Sequence, residues 1–151
     1  MRFSKIAIVG GTLWGNRGAQ AMLETLIGQI RNQNSEASFY VYSYYPTKDI
    51  SLINDAAIKI LSSKPISLVV SLFPGALIER IFSLVGFKLP DSLLPTEVAC
   101  LRKCDILLDI AGISFSDGRE KFLPFNMLTI LPAVLLGIPV VKCAQALGPF
   151  E

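Results

Sequence analysis

A strand, a glycine-rich turn and the start of a helix follow one another near the amino terminus, and this order most restricts the fold. The apolar run 6–9 is short, rich in β-branched residues and stopped by Gly10, which is typical of a strand buried on both faces. Beyond the turn, apolar side chains recur at helical spacing. A helix beginning near Arg17 or Gly18 directs its unpaired N–H groups at the strand's carboxyl end, which favours an anion.

The spacing of this turn differs from two familiar phosphate-binding loops. It lacks the Lys-Ser/Thr pair of a nucleoside-triphosphate loop, and its glycines do not follow G-x-G-x-x-G. One interpretation is that Gly15 and Gly18 only allow a tight turn. The other is a binding loop, because the Asn16 amide and the Arg17 guanidinium suit a carboxylate, a phosphate or a sugar hydroxyl. Both interpretations stay open at this point.

Composition bounds the class of protein. The 151 residues are enough for one domain, predicted over 1–151, with its own core. Hydrophobic residues make up 52% and charged residues only 17%, which indicates strands covered on both faces, a surface for another domain or subunit, or membrane contact. The net charge of +2 is scattered, with no basic run interleaved with aromatics, so we expect no nucleic acid partner.

Histidine and cysteine usage restricts the chemistry. The chain has no histidine, which removes the commonest general base and every Ser-His or Cys-His nucleophile pair. The three cysteines, Cys100, Cys104 and Cys143, show no Cys-x-x-Cys spacing, which favours reduced thiols in a cytoplasmic protein. We expect Cys100 and Cys104 to share one buried helix face, and we expect no metal site.

Two apolar stretches approach the length of a membrane span. The first, 66–87, is interrupted by Pro74, Glu79 and Arg80, and the second, 127–141, is short and contains two prolines. Neither is predicted to span a membrane. Peripheral attachment through 69–87, at the inner face of a membrane, stays open.

Strands and helices alternate along the rest of the chain. A parallel sheet follows from this alternation, so the predicted fold is α/β, Rossmann-like and doubly wound, with a mostly parallel sheet and helices on both faces. The remaining strands are predicted at 38–44, 57–61, 105–110 and 139–144. Helices are predicted within 66–87, at 96–103 and at 123–136.

Several details of these helices are also predicted. Within 66–87, residues Ala76, Leu77, Ile78, Ile81, Phe82 and Val85 group on one face, with Glu79, Arg80 and Ser83 opposite. Residues 46–49 end the second strand, and Thr96 caps the predicted helix at 96–103. Pro132 is expected to kink or break the helix over 123–136, which Gly137 ends.

Three polar loops that contain glycine follow predicted strands. They span 10–17, 111–118 and 145–150. Because the carboxyl ends of parallel strands meet at one edge of the sheet, these loops predict a binding site there.

The same loops carry a resemblance to a known family. The motifs are Gly15-Asn16-Arg17-Gly18-Ala19-Gln20-Ala21-Met22, Asp109-Ile110-Ala111-Gly112-Ile113-Ser114-Phe115-Ser116-Asp117 and Gln145-Ala146-Leu147-Gly148-Pro149-Phe150. In order and spacing the chain resembles the amino-terminal half of the polysaccharide pyruvyl transferase family over essentially its whole length. It departs from the family at Ala111 and Ile113, where small glycines are usual.

The resemblance implies a function and a two-domain architecture. The family resembles type-B glycosyltransferases, with two Rossmann-like halves facing a cleft, and transfers pyruvate from phosphoenolpyruvate to a sugar of a cell-surface polysaccharide as a ketal. By analogy this half holds the saccharide or lipid-linked glycan acceptor, and a second domain or subunit holds the donor. We therefore expect phosphoenolpyruvate as co-substrate, no cofactor, and no turnover by this chain alone.

The resemblance also implies site residues. Asp117 is the predicted general base, because ketal formation removes protons from two sugar hydroxyls; the alternative is that it caps the next helix. Asp109 is predicted to bind ligand hydroxyls or a backbone N–H, with the backbone bond favoured. The other predicted substrate-binding residues are Gly15, Asn16, Arg17, Gly18, Gln20, Gly112, Ser114, Gln145 and Gly148.

Alternatives remain for several of these residues. Arg17 either holds a phosphate or acidic sugar or is merely solvated, and Gln20 either binds hydroxyls or is exposed. Trp14 either stacks on a sugar or is partly buried against the sheet. The alternative functions are a glycosyltransferase half that uses a nucleotide sugar, and a non-catalytic module that binds a sugar or a partner.

Overall fold

A five-stranded parallel sheet forms the centre of the protein. The computed structural model describes residues 3–112 and 122–143. The strand order is β3-β2-β1-β4-β5, and every neighbouring pair is parallel. The strands are β1 (Lys5–Val9), β2 (Ser38–Ser43), β3 (Ile58–Ser62), β4 (Ile106–Asp109) and β5 (Val140–Lys142).

Helices connect the strands. Pro65–Leu84 is continuously helical and consists of two α-helices joined by a π-helical turn at Leu68–Leu72. A short 3₁₀ turn occupies Asp91–Leu93. The α-helices are α1 (Arg17–Gln33), α2 (Pro46–Ile50), α3 (Pro65–Ser67), α4 (Phe73–Leu84), α5 (Thr96–Leu101) and α6 (Leu123–Leu135).

Both faces of the sheet are buried, as the run 6–9 predicts. Alternate side chains of a strand point to opposite faces, so Ile6 and Ile8 pack in the core that contains Leu23 and Ile27 of α1. On the other face, Ala7 and Val9 pack with apolar residues of the π-helical turn, α5 and α6: Leu68, Leu72, Val98, Leu101 and Ala133. The fold is therefore α/β, Rossmann-like and doubly wound.

The orientation of α4 differs from the prediction. Glu79 is buried, with 3% exposed, whereas Ile78, Ile81 and Val85 are 47%, 55% and 77% exposed. Burial of the carboxylate is compensated because its Oε1 accepts a bond from Arg102 Nη1 at 2.7 Å and its Oε2 one from the Leu89 N–H at 3.2 Å. The apolar side of α4 thus faces outward, and the prediction that groups Glu79 with the solvent face is wrong.

Other helix boundaries also need correction. Residues 46–49 follow the end of β2, as predicted, and form the start of a short helix, α2. Thr96 is the first residue of α5 rather than its cap, because Pro95 occupies the capping position. α6 is not broken at Pro132, which lies inside the continuous helix, and Gly137, at φ +73°, follows the helix end as predicted.

Two cysteines lie in the core as free thiols. Cys100 is in α5, and Cys104 lies just beyond that helix, where its Sγ donates to the Cys100 carbonyl at 3.3 Å. They therefore share a buried environment, although Cys104 is not part of the helix. Burial raises the pKa of the Cys104 thiol to about 12, so it stays protonated at neutral pH.

The start of β4 is joined to the start of β1 by Asp105. Its Oδ2 accepts bonds from the N–H groups of Ser4 and Lys5, both at 2.8 Å. These backbone bonds, first that of Lys5, hold the pKa of Asp105 below its usual value.

Asp105→Asn is expected to reduce stability at neutral pH, because it removes a charged acceptor of two backbone N–H groups. Because folding lowers the pKa of Asp105, the extra free energy of unfolding of the wild type is fully present above the unfolded-state pKa of about 3.9. It is lost as the pH falls through the lower folded-state pKa. Urea midpoints of the two proteins, measured from neutral pH downward, should converge in acid. Glu36→Gln is the control: Glu36 is exposed, and its replacement should leave the urea midpoint at neutral pH unchanged.

Candidate functional site

The strand order reverses between β1 and β4, and the loops after these strands meet there. Gly10, at φ +81°, follows β1, and a Cβ atom at this position would lie 2.4 Å from the Ala111 backbone nitrogen. A side chain is therefore excluded where the two loops cross. In open parallel sheets, ligands bind outside the carboxyl ends of the strands at such a reversal. The beginnings of two of the three predicted loops are thus brought together.

A crevice of about 180 Å³ opens at this edge. Its walls come from the loop after β1, the ends of β2 and β4, and α6, and they include Gly11, Thr12, Tyr42, Asp109, Asn126 and Thr129. A larger depression of about 430 Å³ lies around Phe3 and Ile6 at the amino ends of the strands. The crevice is the better candidate because the depression lies at the wrong end of the sheet for this fold.

A buried carboxylate fixes the shape of the loop after β1. Asp49 of α2 is fully buried, and its Oδ1 accepts bonds from the Trp14 N–H at 2.9 Å, the Leu13 N–H at 3.1 Å and the Thr12 hydroxyl at 3.1 Å. Charge-assisted bonds of this kind are stronger than neutral ones. Sequence reasoning missed Asp49. Residues 46–49 follow β2, and the carboxyl end of β2 lies at the same edge of the sheet as the loop after β1. That position could have identified Asp49.

The start of α1 has the predicted position. Asn16 is the N-cap, and its Oδ1 accepts a bond from the Ala19 N–H at 3.1 Å, while Gly15 has φ +81°. The Asn16 oxygen is therefore engaged by the helix, and the amide nitrogen takes no part in the capping bond. Asn16 lines the crevice, whereas Arg17 and Gly18 are exposed at the helix start.

The structure separates Gln20 from the other predicted residues. Its Nε2 donates to Oε1 of Glu24 at 2.8 Å, one turn along α1, and Gln20 does not line the crevice. Gly112 follows β4, with open space where a side chain would begin. The remaining predicted residues, Ser114, Asp117, Gln145 and Gly148, lie outside the described residues.

Asp109 makes the backbone bond that was favoured for it. It is 3% exposed, and its Oδ1 accepts from the Ala111 N–H at 3.0 Å. Its Oδ2 accepts from Nζ of Lys142 at 2.5 Å, across the β4–β5 pair in which the two residues are partners. Asp109 therefore fixes the start of the second loop and holds a cation at the crevice edge. Lys142 is a charged residue of this edge that was not predicted.

Aromatic side chains lie beside the loop after β1. Trp14, Tyr44 and Tyr45 are 43%, 45% and 39% exposed, and the rings form edge-to-face pairs, with centroids 5.0 Å apart for Trp14 and Tyr45 and 4.9 Å for Tyr44 and Tyr45. Lys48 Nζ lies 5.8 Å from the Trp14 ring centroid. Trp14 is thus exposed and contacts Tyr45 and Lys48, rather than being buried against the sheet. We call Trp14, Tyr44 and Tyr45 the aromatic rim; the two tyrosines were not predicted as site residues.

The buried tyrosine of the crevice serves the scaffold. The Tyr42 hydroxyl donates to the Glu97 carbonyl at 2.6 Å. Burial raises the pKa of Tyr42 well above its usual value, so it is a neutral donor rather than a base. Within 3–112 and 122–143, no group of three or more His, Cys, Asp or Glu side chains is arranged to hold a metal ion.

These features define a Rossmann-like α/β domain with a crevice at the strand-order reversal, lined by both apolar and polar residues, and an aromatic rim of which Tyr44 reaches the crevice wall. A scan against models of known protein families finds no match, and neither does a search of the curated proteins.

Asp49→Ala is expected to destabilise the protein by about 2–4 kcal/mol, because it leaves two loop N–H groups and a hydroxyl without their buried acceptor. Chemical denaturation measures the loss. Asp55→Ala is the matched control: Asp55 pairs with Arg31 at 2.6 Å on the surface, and its removal should cost far less. Equal losses in the two variants would contradict the role assigned to Asp49.

Proposed function

We propose that this chain is the acceptor-binding half of a polysaccharide pyruvyl transferase and that it binds a saccharide in the crevice. One observation carries the proposal. The loops after β1 and β4, which lead into the first two family-like motifs, are about 100 residues apart in sequence, yet they cross at Gly10 and Ala111 beside the crevice. In an open parallel sheet this strand-order reversal is where ligands bind.

The described residues of the crevice suit a sugar. Asn16, Asn126 and Thr129 bring amide and hydroxyl groups to its walls. The exposed rings of the aromatic rim offer flat apolar surface beside these polar groups, a combination that matches the polar edge and apolar face of a pyranose. Lys142 pairs with Asp109, so this cation is already compensated and does not require an anionic acceptor.

The proposed reaction joins phosphoenolpyruvate and two hydroxyls of one sugar into a ketal and releases inorganic phosphate. The methylene carbon gains a proton, and the neighbouring carbon forms bonds to two sugar oxygens while its bond to the phosphate oxygen breaks. The two hydroxyl protons end, in net balance, on the new methyl group and on the released phosphate. Asp117 is the proposed acceptor of one of these protons. The donor is assigned to a second domain or subunit by analogy.

A second candidate is a glycosyltransferase half that binds a nucleotide sugar. The exposed Trp14 ring favours it to the same degree, since a nucleobase also stacks on an aromatic face. The donor distinguishes the two functions.

Saccharide binding can be followed with the protein's own fluorescence. Trp14 is the chain's single tryptophan and packs on Tyr45, which packs on Tyr44 at the crevice wall, so galactose- or mannose-containing oligosaccharides that enter the crevice should change its emission. Tyr44→Ala should weaken this binding about tenfold through loss of one aromatic contact. Phe3→Ala is the control, because Phe3 is similarly exposed but lines the depression at the opposite end of the strands. A response to uridine diphosphate sugars alone would favour the second candidate.

Pyruvyl transfer is tested with the product of the complete coding region, phosphoenolpyruvate and an oligosaccharide that binds, by following phosphate release. Release should depend on the saccharide, and Asp117→Asn should slow it by at least about 100-fold, since general base catalysis contributes that much. Asp55→Asn should leave the rate unchanged. Residues 1–151 alone should show no turnover. Saccharide binding without phosphate release by the complete product would leave a non-catalytic binding module.

A further inference from the structure

An apolar face runs along the continuous helical segment Pro65–Leu84. Among the described residues this is the one helix that is long and apolar enough to cross a membrane, by length and composition alone. Its 20 residues extend about 30 Å. Large apolar side chains are exposed from one end of it to just beyond the other, and we call them the outer face: Ile66, Val70, Ile81, Leu84, Val85 and Phe87.

The extent of this exposure is unusual for a helix on a protein surface. Ile66 and Val70 are each 71% exposed, Leu84 is 69% exposed and Val85 is 77% exposed. Scattered single apolar residues are normal on a surface, but exposed groups at both ends of one helical segment, Ile66 with Val70 and then 81–87, mark an interaction site.

The charges beside the outer face have one sign. Lys64 precedes the segment, Arg80 lies within it and Lys88 follows Phe87; all three are exposed, and none forms an ion pair within the described chain. The acid of the segment, Glu79, is buried against Arg102.

Two acids beyond the segment are also engaged. Glu97, which is half-buried, accepts a bond from the Ser71 hydroxyl at 3.4 Å, and Asp91 pairs with Arg102 and Lys103. Exposed apolar side chains with Lys64 at one end, Arg80 and Lys88 towards the other, and no exposed acid in the segment itself are complementary to a membrane surface with anionic headgroups.

We propose that the outer face binds an anionic lipid membrane, with the helix lying in the plane of the interface. The inner side of the segment does not permit a span, because Leu68, Leu72 and Ala76 are at most 1% exposed in the protein core. Crossing the membrane would remove them from that core and would separate Glu79 from Arg102.

The same charges disfavour a second copy of the chain as the occupant. Pairing two outer faces would bring the cations of both copies together without an acid to compensate. The inference does not depend on the proposed saccharide function, because it rests on residues outside the crevice.

Flotation with lipid vesicles tests the proposal. The chain should float with vesicles of equal parts phosphatidylglycerol and phosphatidylcholine, and much less with phosphatidylcholine alone. Ile81→Glu should lower the partition coefficient at least about tenfold, because it places a charged group in the apolar face. Arg80→Gln should lower it about fivefold, an effect that high salt should remove.

Leu52→Glu is the matched control for Ile81→Glu. Leu52 is 54% exposed and Ile81 is 55% exposed, but Leu52 follows α2 and is not part of the outer face. Its replacement should leave vesicle binding unchanged. If Ile81→Glu loses its far-ultraviolet circular dichroism, the double variant Arg80→Gln and Lys88→Gln decides the result, since it changes only exposed polar side chains.

Three outcomes would overturn the proposal. The first is that the wild-type chain floats with neither vesicle. The second is a dimer in solution that Ile81→Glu converts to a monomer while vesicles have no effect, which would identify a second copy as the occupant. The third is membrane-bound protein that resists extraction by alkaline carbonate, which would indicate a span.

Discussion

The central strand β1 constrains the whole structure, because it is hydrogen-bonded on both edges and buried on both faces. Residues 6–9 are at most 2% exposed, and β2 and β4 occupy the two edges of the strand. The run therefore admits only apolar side chains. The residue that follows it lies against the loop after β4 and has no room for a side chain. Gly10 meets that requirement beside Ala111. The crevice at the carboxyl edge follows from how this buried strand ends.

Short-range patterns predicted the elements that depend on neighbouring residues. The buried run of β1, the start of α1 and the end of α6 at Gly137 are all fixed within a few residues. The orientation of α4, by contrast, depends on a residue that is distant in sequence. Apolar side chains surround that helix, so the position of its inner side depends on Arg102, which is 23 residues further along the chain. Helical periodicity does not contain that information.

The same distinction applies to the site. The Asn16 cap and the Asp109 bond to Ala111 are local interactions, two or three residues in span, and their positions could be inferred. Asp49 reaches the loop after β1 from 35 to 37 residues away, and Lys142 reaches Asp109 across 33 residues. Such contacts are set by strand order, which alternation of strands and helices leaves open. Sequence reasoning thus found the edge of the sheet and missed charged groups that shape it.

The pairing of β1 with β4 also bears on how the protein is made. Ile6 pairs with Ile106, so one edge of the first strand has no partner until about 100 residues more have been synthesised. At ribosomal rates this delay lasts about 5–20 s, whereas a hydrophobic collapse takes microseconds. During that interval the unpaired backbone N–H and C=O groups along one edge of this apolar strand are available to other chains. Production in the cell is therefore expected to depend on chaperones that cover the β1–β2–α1 unit until β4 emerges.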